Sequence, residues 1–178
     1  MSETKQIPDQ IGAHQAFHVP YISKVSHLEL LDALRVTYKE CLEIANEISE
    51  EKAMYAYAPG KWSLKELFVH IMDTERIFAY RALCFSRNDK TPLPGFEENE
   101  YASNSGANER SFESIISEIK LLHASTISLF ENFNSEMLLK EGTASGGSVS
   151  VRALGYIIAG HAKHHLEVIK AKYLNQSS

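Results

Sequence analysis

The chain is poor in the features that mark secreted, membrane-spanning or nucleic-acid-binding proteins. It has only two cysteines, Cys41 and Cys84, far apart and in no C-x-x-C arrangement. That excludes a disulfide framework and a cysteine zinc site, and both thiols are expected to be packed and reduced. No segment holds an uninterrupted run of about eighteen apolar residues, the length a membrane helix needs. The first residues, MSETKQIPDQ, lack the basic start and apolar stretch of a secretory signal, so a cytoplasmic protein with no membrane partner is expected. Positive charge is also scarce. Eighteen Lys and Arg face 23 Asp and Glu, the net charge is −5, and no basic stripe is present to neutralise a row of phosphates, so no nucleic-acid partner is expected. The G-x-x-x-x-G-K-[ST] phosphate loop, the G-x-S-x-G elbow and the nucleotide-binding glycine fingerprint are missing too, which removes several enzyme classes.

What is present suits one globular domain: 178 residues, 44% hydrophobic and 23% charged, suffice for a core without disulfides. Pro8, Gly12 and Pro20 among mixed residues make 1–25 an irregular N-terminal arm with little part in function, ahead of a domain over 26–178. From Ser26 the spacing of Leu28, Leu31, Leu34, Tyr38, Leu42, Ala45 and Ile48 predicts a first amphipathic helix. Pro59 and Gly60 interrupt it. Ser63-Leu-Lys-Glu66 then reads as a capping box that starts a second helix, running to about Asn88. The stretch from Asn88 to Arg110, with Pro92, Pro94, Gly95 and Gly106, is a long crossover without helix or regular strand. Phe112, Ile115, Ile119, Leu122, Thr126, Leu129 and Phe133 place a third helix over about 111–134. GTASGGSVS reads as a flexible connection, and Ser150 as the N-cap of a fourth helix over 151–174. The predicted fold is therefore all-α, a four-helix bundle with a long crossover between helices two and three and no sheet.

On the fourth helix His161 and His165 fall within the apolar face made by Leu154, Ile157, Ile158, Val168 and Ile169. Four residues apart, their imidazoles stack one turn above the other and can share a metal ion. His70 on the second helix lies beside Leu67, Thr74 and Ile77 and is the candidate third ligand. Three neutral imidazoles leave a coordination position open, as in catalytic rather than structural zinc sites, and Zn, Ni, Fe or Mn could all be accepted. A single inward histidine is as readily a core residue bonded to a backbone carbonyl. The pair is harder to dismiss, because an unsatisfied buried polar group costs roughly 1–3 kcal/mol. His164 sits at the edge of the stripe and is left out. His14 and His18 look like arm residues, and His27 and His123 lack a partner at metal-binding spacing. Glu75 falls on the apolar face of the second helix, where a carboxylate needs a partner or a raised pKa. It could support the site, act as a general base, or form a structural ion pair with Arg81 or a basic residue on another helix. Trp62 and Tyr80 read as packing residues.

The stretches PGKWSLKELFVHIMDTERIFAYRAL and SVRALGYIIAGHAKHHLEVIK resemble the DinB-like superfamily of bacterial metal-binding bundles, over roughly residues 26–175. The resemblance carries three ligand positions onto His70, His161 and His165, and an H-x-x-D-x-E-type stretch onto His70, Asp73 and Glu75. It implies a metal-dependent enzyme, foremost a thiol-dependent S-transferase in which the metal activates a low-molecular-weight thiol. A metal-dependent hydrolase with Glu75 as a possible catalytic base is the alternative, and a non-enzymatic, stress-induced metal-binding protein is a third. It also implies a small-molecule substrate and a homodimer. The name of the superfamily refers to induction by DNA damage, not to DNA binding.

Overall fold

Ser63 sets the start of the longest helix: its hydroxyl oxygen accepts the Glu66 N–H at 3.1 Å, and the Glu66 carboxylate accepts the Ser63 N–H at 2.7 Å. This reciprocal box satisfies two of the amides that a helix start leaves free. The computed structural model describes residues 17–175. Helix α1 is Val19–Ser23, α2 Leu30–Asn46, α3 Glu50–Ala53, α4 Leu64–Ser86, α5 Glu98–Ser103, α6 Phe112–Glu131, α7 Ser135–Leu139 and α8 Val151–Val168. The last winds on as a π-helical turn, Ile169–Leu174. Ser111 and Ser150 cap α6 and α8 by accepting the Ser114 and Ala153 N–H groups. The four long helices, α2, α4, α6 and α8, form the bundle.

Three expectations need correction. GTASGGSVS is not a flexible connection: β1 (Glu141–Ala144) and β2 (Gly147–Ser150) pair as an antiparallel hairpin. Ser145 and Gly146 turn it, both with positive φ of 50° and 79°, the two-residue turn whose twist suits paired strands. The crossover is not wholly irregular either. It contains α5 and a 3-10 turn, Ala107–Glu109, and Leu93 is tied to the hairpin by its N–H to Thr143 O and by the Ser145 N–H to its own carbonyl. Finally, the arm is ordered where it is described. Helix α1 lies so close to α8 that a Cβ added at Gly160 would stand 2.1 Å from the carbonyl oxygen of Tyr21, so only glycine permits this approach. Residues 1–16, with His14, and 176–178 lie outside the described residues.

The core has two apolar clusters. One gathers Phe78, Ala82 and Phe85 of α4 with Leu154, Ile157 and Ile158 of α8. The other gathers Leu64, Leu67 and Phe68 of α4 with Leu166, Ile169 and Tyr173. This pairing makes α4 and α8 antiparallel. Between the clusters runs a buried polar belt of Thr37, His70, Thr74, Glu75, His123, Thr126 and His161. Polar groups at that depth need partners in one another or in a ligand. The belt is where function is to be sought.

Candidate metal centre

The antiparallel packing of α4 and α8 brings His70 level with His161, and the helical repeat brings His165 one turn beyond. His161 Nε2 stands 3.0 Å from His70 Nε2 and 3.0 Å from His165 Nε2. Donor atoms of all three lie within 4.8 Å of one another. A neutral imidazole nitrogen carries either one proton or one lone pair, so His161 Nε2 cannot make two good hydrogen bonds at once. A cation accepting lone pairs from all three satisfies the cluster, and the donor set therefore fits a divalent transition metal.

The electrostatics favour the same form of the ligands. Burial lowers the pKa of His70 from 6.5 to about 4. Burial, aided by His70 and His164, takes His165 to about 3. His161 is held well below its ordinary value, first by burial and then by its histidine neighbours. All three are neutral at pH 7, as metal ligation requires. The Trp62 ring packs against His70 at 4.7 Å between centroids, and Tyr21 stands edge-on to His161 at 5.5 Å, which restricts both imidazoles.

Two cavities flank the cluster. The larger, about 540 Å³, reaches His161 and is walled by His18, Tyr21, Thr74, Phe78 and Arg81, with the exposed Glu97, Glu98 and Glu100 also along its lining. A cavity of about 290 Å³ on the other side is bounded by Trp62, Asn99, His164 and His165. Sequence reasoning overlooked three buried residues of the larger cavity. Thr74 and Arg81 had a usable signal, since His70, Thr74, Phe78 and Arg81 recur at helical spacing along one stripe of α4. His18 had none, because the docking of α1 on α8 buries it.

Glu75 is not among the residues lining either cavity. Its Oε1 lies 3.0 Å from Nδ1 of His123 on α6, and the His123 ring stacks on Tyr38 at 4.1 Å. Asp73 bonds Arg76 at 3.5 Å rather than joining the histidines. Tyr80 is exposed. Cys41 is buried and Cys84 half-buried, and both are free. None of the described helices is long and apolar enough to cross a membrane.

Comparison with known proteins agrees with this architecture. The sequence model of the DinB superfamily matches residues 33–169. A protein of Oceanobacillus iheyensis, OB0413, named provisionally as a metal-dependent hydrolase, is 26% identical over 137 residues, covering 76% of this chain and 78% of its own. The fold is similar to that of YfiT from Bacillus subtilis, described as a probable metal-dependent hydrolase with an unusual four-helix bundle topology. There the TM-score is 0.65 at 12% identity, over 93% of this chain and 89% of the other. The DinB-like protein YjoA of Bacillus subtilis aligns with a TM-score of 0.52 at 22% identity, over 83% and 87% of the two chains.

Proposed function

The chain belongs to the DinB superfamily, and on that footing we propose that it is a metal-dependent hydrolase acting on a small molecule, with His70, His161 and His165 as the metal ligands. The observation that carries this reading is the shared Nε2 of His161, which closes a three-imidazole cluster and borders the 540 Å³ cavity. The names of OB0413 and YfiT support hydrolysis over other metal chemistry. When bound, a divalent ion supplies Lewis acidity toward a carbonyl or phosphoryl oxygen and makes water a stronger acid.

The protein's own residues do the rest. Neutral imidazoles hold their lone pairs free for the ion. Phe17, Phe78, Phe96 and Ile157 give the cavity apolar walls that displace bulk water from a bound substrate. Glu98 is better placed than Glu75 to exchange a proton with that substrate. It lines the cavity, and its charge acts on Tyr21, whose ring lies against His161. Partial desolvation against the cavity, with Glu97 beside it, raises its pKa above the usual carboxylate value, which suits a proton acceptor nearer neutrality.

The test is turnover of an ester and amide panel by the metal-reconstituted protein. Hydrolysis lost in His161→Ala and reduced in Glu98→Gln, with Glu75→Gln close to wild type, is expected. Absence of hydrolysis together with a thiol-induced change in the visible spectrum of the cobalt form would replace this reading with thiol S-transfer.

A further inference from the structure

Among the described residues, Arg81 is a buried cation without a counter-ion. Only 3% of its surface is exposed, burial alone lowers its pKa, and no neighbouring carboxylate holds that pKa up. Its bonds are to neutral oxygens, Nη2 donating to Pro94 O at 2.7 Å and to Ser145 Oγ at 3.2 Å. The guanidinium carbon also stands 5.0 Å from the centroid of the Phe78 ring, a further neutral partner. A buried guanidinium without an anion is costly, and an anionic ligand would offset that cost. Two further groups in the same cavity are also left waiting. Among the described residues, Thr74 Oγ1 and His18 Nδ1 are buried with no hydrogen-bond partner, on residues only 3% and 7% exposed. Both line the cavity with Arg81 and His161, and the guanidinium lies near enough to His18 to depress its pKa.

From these groups we infer that the cavity beside His161 is a subsite for a substrate carrying a single carboxylate, received by Arg81 with Thr74 and His18 as supporting hydrogen-bond partners. The planar fork of an arginine matches the two oxygens of a carboxylate. Glu97, Glu98 and Glu100 also line the cavity, and because their repulsion grows with the ligand's charge a dianionic phosphate monoester is disfavoured relative to a monocarboxylate. The placement along α4 also sets the shape of the ligand. Arg81 lies eleven positions beyond His70, a rise of about 16 Å along the helix, and its guanidinium reaches back over the Phe78 ring, one turn nearer the histidines. The substrate is therefore elongated, with its carboxylate at one end and its scissile group several bonds away, near His161. Only this last point, which end reacts, rests on the hydrolase reading.

The two bonds of Arg81 to Pro94 and Ser145 allow a competing account, in which the arginine simply ties the crossover to the hairpin turn. Calorimetric titration separates the two. The probes are 4-acetamidobutanoate, its neutral isostere 4-acetamidobutanamide, and inorganic phosphate. Each is titrated into wild type, Arg81→Met and Arg81→Lys, both metal-reconstituted and chelator-treated, and the melting temperature of each protein is recorded. Wild type is expected to bind the carboxylate at least tenfold more tightly than the amide in both metal states. Arg81→Met should lose that preference without a lower melting temperature, and Arg81→Lys should keep part of it. Equal binding of carboxylate and amide, no binding of either, or a preference that survives in Arg81→Met would overturn the inference. So would a melting temperature lowered in Arg81→Met with the preference unchanged, tighter binding of phosphate than of the carboxylate, or a preference seen only with metal present. Failure of hydrolysis would leave the binding result standing, since the chelator-treated protein reports on carboxylate binding in the absence of metal.

Discussion

Nε2 of His70 and Nε2 of His161 meet at 3.0 Å although 91 positions separate the two residues in the chain. That contact exists because α4 and α8 pack antiparallel between two apolar clusters, and everything proposed for the site depends on it. The same nitrogen of His161 also meets His165 at 3.0 Å, and a single ring nitrogen cannot serve both neighbours by hydrogen bonding.

Elemental analysis of purified protein is therefore expected to give about one transition-metal ion per chain after reconstitution, and His70→Ala, His161→Ala and His165→Ala each to lose it. Where the free metal stands about a hundredfold above its Kd, loading stabilises the fold by roughly 2.7 kcal/mol. That gain should vanish in all three variants. Metal retained in any one of them would remove that histidine from the ligand set.

Acidification tests the same cluster without metal. In the unfolded chain each histidine takes its proton near pH 6.5, whereas burial holds His70 to about 4 and His165 to about 3 when folded. Between those values the unfolded state binds more protons, so stability falls as the pH falls. Each full proton of difference is worth about 1.4 kcal/mol per pH unit. Urea unfolding of the metal-free protein should show a loss on the order of 3 kcal/mol between pH 7.5 and 5.5, after discounting for the partial exposure of His165. A curve that is flat, or that rises toward acid, would mean the imidazoles are not held neutral.

The bundle and the pair on α8 were legible because both follow local rules. Ser63, Ser111 and Ser150 announce helix starts by their caps, and a four-residue spacing puts His161 and His165 on one face. Illegible were the relationships that depend on distant elements. The hairpin over 141–150 looked like a linker because serine and glycine serve loops and tight turns alike, and Leu93, about fifty residues upstream, helps to pin it. His18 looked like an arm residue because only the groove at Gly160 brings α1 against α8. Glu75 stayed open between a supporting group, a base and an ion pair with a residue of another helix, because its partner, His123, sits on α6 with no spacing signal of its own.

The Glu75 and His123 side chains are both buried, at 3.0 Å from each other, with Nε2 of His123 lacking a partner among the described residues. Removing either one leaves the other polar and unpaired, so Glu75→Ala and His123→Ala should each cost about 1–3 kcal/mol. The double variant should cost clearly less than the sum of the two, since the second truncation removes a group already left alone. Urea unfolding of the four proteins measures this coupling. Strictly additive costs would show the contact to be incidental, and loss of turnover in Glu75→Gln without loss of stability would return Glu75 to the chemistry.

Gly160 tests whether the arm builds the site. A methyl group there would meet the backbone carbonyl of Tyr21 at 2.1 Å, and a backbone atom cannot swing aside as a side-chain end can. Gly160→Ala should therefore push α1 off α8 and destabilise the protein by about 1–3 kcal/mol. The three clustered histidines lie on α4 and α8, so metal stoichiometry should be kept. His18 and Tyr21 move with α1, so carboxylate binding in the cavity should weaken and proteolysis near Tyr21 should accelerate. Unchanged stability and binding in Gly160→Ala would detach the arm from the site and leave Arg81 and Thr74 as the cavity's only buried polar contributors from outside the histidine cluster.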